Sequence, residues 1–182
     1  MIGFLPKTLE VASKEYPIRT DFRTVLVIFQ ALNDPELEEI DKAMIILQSL
    51  YEEIPDNLQE AMDQAVWFMD GGQTYSVNNE KRVMDWEQDE QMIFSAVNKV
   101  AGYETRTMEY LHWWTFLGFF NEIGEGLFST VVHIRQKRNR GKKLDKTEQE
   151  FYNRNRAMVN LKKRLSKEAQ EELNEVNRLL GR

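Results

Sequence analysis

The sequence predicts an all-α fold: a compact multi-helix domain of about eight helices, with a short N-terminal β-hairpin and a basic C-terminal helical arm. Three observations carry this. Through most of the 182 residues, apolar positions recur at helical spacing between capping residues and glycine or proline stops. Strand-like and helical segments do not alternate, so there is no parallel sheet to build. Four prolines, nine glycines and 30% charged residues, with no low-complexity tract, describe a folded chain able to bury a core.

Taken in order, TLEV, ASK and EYPI between Thr8 and Ile18 read as two short extended segments around a turn, Pro17 confining the second to a strand end. Thr20 is the expected N-cap of a helix whose apolar stripe is Phe22, Val25, Leu26, Phe29 and Leu32, ending near Asn33. Asp34-Pro35 reads as a cap and first position for a second helix, with Leu37, Ile40, Met44, Leu47, Leu50 and Tyr51 facing the core. Pro55-Asp56 restarts the chain, and a third helix through Leu58, Met62, Ala65, Val66 and Met69 stops at Gly71-Gly72.

A polar stretch from Gln73 to Met84 is a predicted loop. Asp85 then caps DWEQDEQMIFSAVNKVAG, whose first-turn carboxylates suit the helix dipole and which Gly102 ends. An aromatic helix is expected from Arg106 or Thr107 to Asn121. Beyond Gly124 and Gly126, a helix carrying Leu127, Val131, Ile134 and Arg135 runs into RQKRNRGKK. Asp145 and Glu148 form a capping box ahead of EFYNRNRAMVNL, and Ser166 opens a last amphipathic helix with Leu173, Val176, Leu179 and Leu180 on its apolar face.

Charge divides this single domain. Residues 1–19 form the hairpin, 20–134 an acidic helical core and 135–182 the basic arm. The arm holds 15 Lys and Arg against 7 Asp and Glu (+8), and residues 1–134 hold 9 against 23 (−14), within a net charge of −6. Such a split is an electrostatic handle, used within the chain, between copies or on a partner.

Several chemistries are excluded or disfavoured. Without cysteine there are no disulfides, thiolate metal sites or cysteine nucleophiles. Glu109-x-x-His112 matches half of a carboxylate-bridged di-iron signature, but His133 has Thr130 where the second glutamate belongs. DWEQDEQ lacks the ligand spacing and glycine of a calcium loop. With two isolated histidines and no phosphate loop, zinc motif or nucleophile elbow, the expectation is a non-enzyme with no catalytic residues, metal or cofactor. The N-terminus lacks a basic n-region and no apolar run spans a bilayer, so neither signal peptide nor membrane anchor is expected, and a reducing cytoplasm is the default compartment.

Two stretches are candidates for binding a partner. In RQKRNRGKK, six of nine residues are basic, offering Arg135, Lys137, Arg138, Arg140, Lys142 and Lys143. No aromatic interleaves them, and the acidic remainder repels a polyanion, so an acidic protein surface is preferred to nucleic acid. In YLHWWTFLGFF, six of eleven residues are aromatic, with Tyr110, Trp113 and Trp114 on one helical face. Eleven helical residues rise only about 16 Å, too short to span a membrane. A helix apolar all round belongs in a core, and an exposed edge of it can serve as a partner groove.

YPIRTDFR (Tyr16 to Arg23), DWEQDEQMIFSAV (Asp85 to Val97), EYLHWWTFLGFF (Glu109 to Phe120) and IRQKRNRGKKLDKTEQEFY (Ile134 to Tyr152) together resemble the gene-product-fifteen family of phages and prophages of Gram-positive bacteria. These segments occur in the family's order, although VAGYETRTMEYLHWW replaces its usual YGIDL-like turn. The family sits beside the tape-measure gene, where tail assembly chaperones are usually encoded. The resemblance therefore implies a non-enzymatic chaperone that coats the tape-measure protein and helps recruit tail-tube protein, and the −14/+8 charge split adds the expectation that copies self-associate, acidic body against basic arm. It would work in the host bacterial cytoplasm and be absent from the mature virion. A structural tail or connector protein, or a nucleic-acid-binding accessory factor, are the alternatives.

Overall fold

The computed structural model describes residues 3–73 and 81–179, and the chain is mostly helical, with a short antiparallel hairpin at its start. Most of the predicted loop from Gln73 to Met84 lies outside the described residues, as does Leu180 of the last apolar stripe.

Strands β1 (Thr8–Val11) and β2 (Lys14–Pro17) pair from Thr8↔Pro17 to Val11↔Lys14. Ala12 and Ser13 between them both take positive φ, as a two-residue hairpin turn demands. Helices α1 (Phe22–Leu32), α2 (Glu39–Leu50) and α3 (Leu58–Met69) follow, with α2 packed against both neighbours and α3 also covering β1. Then come α4 (Glu90–Ala101), a single 3₁₀ turn (Thr105–Thr107) and α5 (Trp113–Asn121). The arm comprises most of the last turns of α6 (Leu127–Asn139), then α7 (Lys146–Arg154), α8 (Arg156–Val159) and α9 (Lys167–Leu179).

One core gathers the buried faces of the hairpin and of α1 to α5, with Phe22, Phe68, Trp113 and Phe116 among its largest side chains. Phe22 stacks on Phe116 at 4.6 Å, joining the first helix to the aromatic one. A second, smaller core of Val131, Ile134 and Val159 lies between α6 and α8, with Met92 touching both cores.

Several starts differ from the sequence reading. Asp21, not Thr20, caps α1, its carboxylate accepting the Arg23 N–H at 3.0 Å. Thr20 is drawn instead to the aromatic segment, where its carbonyl accepts the Trp113 N–H at 2.7 Å. Asp34-Pro35 does not open α2. The Asp34 carboxylate closes a local turn on the Glu36 N–H, and α2 starts only at Glu39. The aromatic helix begins at Trp113, not near Arg106, because Leu111 and His112 are extended against residues 21 and 22. Phe22 donates its N–H to the Leu111 carbonyl at 2.9 Å, and Leu111 donates to the Asp21 carboxylate at 3.1 Å. Past the Asp145–Glu148 capping box, the predicted continuous segment breaks at Asn155, whose side chain donates to the Phe151 carbonyl.

The expected stops hold. Gly71 and Gly72 take positive φ, and their N–H groups bond the carbonyls of Phe68 and Trp67 in a Schellman cap. Gly141, which the sequence reading did not name as a stop, ends α6 in the same way, with Lys142 donating to the Lys137 carbonyl at 2.8 Å.

Candidate partner-binding surfaces

The basic arm is fastened to the acidic stretch DWEQDEQ. Arg135 is buried, and each of its five N–H groups has an acceptor. Two, one from each Nη, meet the Asp89 carboxylate end-on, and the others reach the carbonyls of Val83, Met158 and Val159. Arg164 and Arg82 hold Asp85, which also accepts the N–H groups of Glu87 and Gln88. Burial alone would raise the Asp85 pKa, but the Gln88 N–H and the two guanidiniums outweigh it and hold it below the usual carboxylate range. Gln88 bonds the backbone of the arm on both sides, donating to the Asn160 carbonyl at 2.9 Å and accepting the Lys162 N–H at 2.8 Å. The acids of this stretch thus do more than favour a helix dipole, because three of them, Asp85, Glu87 and Asp89, anchor the arm.

Of the basic candidates, Arg135 is committed to this anchor. Lys137 pairs with Glu148, as does His133 at 3.2 Å. Arg138 lies 4.2 Å over the Tyr152 ring and donates to Asn160. Arg140, Lys142 and Lys143 occupy the exposed turn that ends α6, and they are the part of the predicted patch most open to solvent.

The aromatic candidates also divide. Trp113 is buried, and its indole N–H donates to the Met69 carbonyl at 2.8 Å. Trp114, partly covered, donates its indole N–H to the Phe68 carbonyl at 2.8 Å. The tandem tryptophans therefore bond neighbouring carbonyls at the C-terminus of α3, Trp113 supplying a donor to Met69 and Trp114 adding one to Phe68, which also accepts the Gly71 N–H. Tyr110 offers the most surface of the three, being 50% exposed, and its hydroxyl is held by Thr20 at 2.6 Å.

His112 is buried, and both of its ring nitrogens are hydrogen-bonded within the protein. Its Nδ1 accepts the Trp114 N–H at 3.0 Å, which makes it the N-cap of α5, so Nε2 carries the proton and donates to the Pro6 carbonyl at 2.9 Å. Burial lowers its pKa against the opposing pull of that Pro6 bond, and nearby Lys7 lowers it further. Among the described residues, no group of three or more metal-ligating side chains converges, and no helix is long and apolar enough to cross a membrane.

Sequence reasoning missed two apolar surfaces. The first is a cleft of about 590 Å³ between α4 and the start of α6, lined chiefly by Met92, Ala96, Val100, Ile123, Leu127 and Met158. The second is a shelf along α1, where three shallow clefts share Val27, itself 54% exposed. A signal for the shelf existed: Val27 is a β-branched apolar residue off the predicted α1 stripe.

The fold defines a mostly helical domain that closes on its own basic arm and displays apolar grooves between helices. The chain belongs to the bacteriophage Gp15 protein family, whose family model matches residues 1–161. Membership points to a structural or tail-related phage protein. No curated protein and no solved structure matches the chain.

Proposed function

We propose that this protein is a non-enzymatic tail assembly chaperone that binds helices of the tape-measure protein and supports growth of the tail tube around them. Family membership supports a tail role. The observation that carries the client-binding part is the cleft between α4 and α6. Its methionines, Met92 and Met158, lie among Ala96, Val100 and Leu127, and this soft apolar lining suits the nonpolar face of an amphipathic helix. A tape-measure chain, rich in long helices before the tube encloses it, presents such faces. The protein would act in the host cytoplasm and leave before the virion is complete.

Co-expression of the full chain with the neighbouring tape-measure gene product, followed by affinity capture, tests this. Wild type should retain the tape-measure protein, and Leu127→Glu combined with Val100→Glu should cut retention at least ~tenfold by placing charge in the cleft. Both side chains are exposed, so the variant should keep its circular dichroism melt. Recovery of the protein from purified virions, with no capture of tape-measure protein, would favour the structural tail reading instead.

A further inference from the structure

Two oppositely charged surfaces remain once the internal ion pairs are formed. Arg135, Lys137 and Arg164 are used within the chain, which leaves Arg138, Lys142, Lys143, Lys146, Arg154 and Arg156 exposed on the end of α6 and on α7 and α8. The Lys137–Glu148 pair ties α6 to α7, and Arg138 and Arg156 both lie against the Tyr152 ring, so these elements form one continuous basic end. Residues 137–156 hold eight Lys and Arg against three Asp and Glu. Of those three acids, Glu148 is taken up by Lys137 and His133, and Asp145 and Glu150 leave the end strongly positive.

The acidic counterpart surrounds α3. Residues 43–73 contain no Lys or Arg and six carboxylates, Glu52, Glu53, Asp56, Glu60, Asp63 and Asp70. Among the described residues none of the six forms an ion pair; Glu60 accepts from Asn57, and Asp63 from Gln59. Arg19 reaches the end of α2 nearby, but its guanidinium bonds the carbonyls of Gln48, Ser49 and Tyr51. Asp63, Val66 and Asp70 share one outward stripe of α3. Ile54, Leu58 and Val66, 36%, 48% and 43% exposed, add apolar surface beside the acids.

We propose that the basic end of α6 to α8 docks on the acidic α3 face of a second copy of this chain. Charge selects the occupant from both sides, since the surfaces are opposite in sign, similar in size at +5 and −6, and unpaired at home. Within one copy they stand on different supports, α3 on α2 and β1, and α6 on α4 and α8. Donor and acceptor are different surfaces, so the contact is heterologous. Nucleic acid fits the basic end less well. The Tyr152 ring lies under Arg138 and its hydroxyl donates to Asn160, so it offers bases no open stacking face, and the acidic α3 face repels a polyanion. The contact needs no client, so it is measured on the protein alone.

Light scattering on the full chain at ~100 μM, where a micromolar contact is well populated, should show species larger than a monomer at ~0.1 M salt. These should fall to monomer at ~1 M, as the screening length drops from about 10 Å to about 3 Å. Lys142→Glu with Lys146→Glu, and separately Glu53→Lys with Asp63→Lys, should each weaken association at least ~tenfold by setting charges of like sign in the contact. All four side chains are exposed, so both variants should keep the wild-type circular dichroism melt. Mixed together, they should form heterodimers and nothing longer, because the intact basic end of one meets the intact acidic face of the other. Glu171→Gln with Glu175→Gln on α9, a second acidic surface, should leave association unchanged. A wild type that is monomeric at ~0.1 M salt would overturn the proposal, and so would a mixture that stays monomeric or an α9 variant that dissociates as the charge reversals do. Binding of labelled duplex DNA by a monomeric wild type would assign the basic end to nucleic acid instead.

Discussion

Arg135 and Asp89 form a buried ion pair in which both Nη groups of the guanidinium meet the carboxylate end-on, with side chains 4% and 0% exposed. The pair joins the basic arm to the acidic core, so the charge split seen along the chain is partly discharged inside one molecule. A buried pair is weak ground for net stability, because desolvation offsets much of the attraction. Breaking it is another matter. Arg135→Met should cost about 3–5 kcal/mol in urea unfolding, because Asp89 is left buried and charged. Arg135→Met with Asp89→Leu should recover much of that loss, and a double mutant as unstable as the single one would refute this reading of the pair.

Trp113 and Trp114 make similar bonds of unequal weight. The Phe68 carbonyl keeps the Gly71 N–H when Trp114 is removed, whereas Met69 has the Trp113 indole as its partner. Trp113→Phe should therefore cost about 1–3 kcal/mol through an unsatisfied buried carbonyl, added to any packing loss. Trp114→Phe should cost clearly less. Thermal melts of the two variants, followed by circular dichroism, give the ranking.

The family-like segments show why some of this was legible and some was not. Gly71, Gly72, Gly102 and Asp145 act within a few residues of themselves, so their stops and caps could be read directly. Thr20, Tyr110 and His112 could not. YPIRTDFR and EYLHWW are ninety residues apart and lie side by side, with Asp21 bonding Leu111 and Arg23 bonding the carbonyls of Arg106 and Met108. That long-range pairing unwinds what helical periodicity alone would continue. DWEQDEQ likewise read as helix-start acids that favour the dipole, because its partner Arg135 is far along the chain. Val27 and the cleft at Leu127 are exposed apolar surface, whose shape emerges only once neighbouring helices are placed.

Gly71 and Gly72 should differ when changed to alanine. Both take positive φ, which costs an L-residue about 1–2 kcal/mol. A Cβ on Gly71 would meet Leu117 Cδ2 at 2.7 Å, the tip of a partly buried aliphatic side chain with no hydrogen bond to fix it. A Cβ on Gly72 would meet the Trp114 ring at 2.8 Å, and that ring is held by its bond to Phe68. Gly72→Ala should thus be the more destabilising in chemical unfolding, and it should also shift tryptophan fluorescence.

The His112 bonds set a pH dependence with a definite sign. In the folded protein its pKa lies below the ordinary value of 6.5, chiefly because the ring is buried. Between those two values the unfolded chain binds more protons than the folded one, so folding stability rises with pH. The contribution is fully present above about 6.5 and is lost as pH falls toward the folded pKa. Protonation would place a second N–H where Nδ1 accepts from Trp114, uncapping α5 and loosening the aromatic segment. His112→Asn keeps a capping oxygen but removes the titration. Its unfolding free energy should vary less than that of wild type between neutral and mildly acidic pH. Every carboxylate is shared by the two proteins, so their difference isolates the histidine, and parallel pH profiles would mean that His112 is not the group responsible.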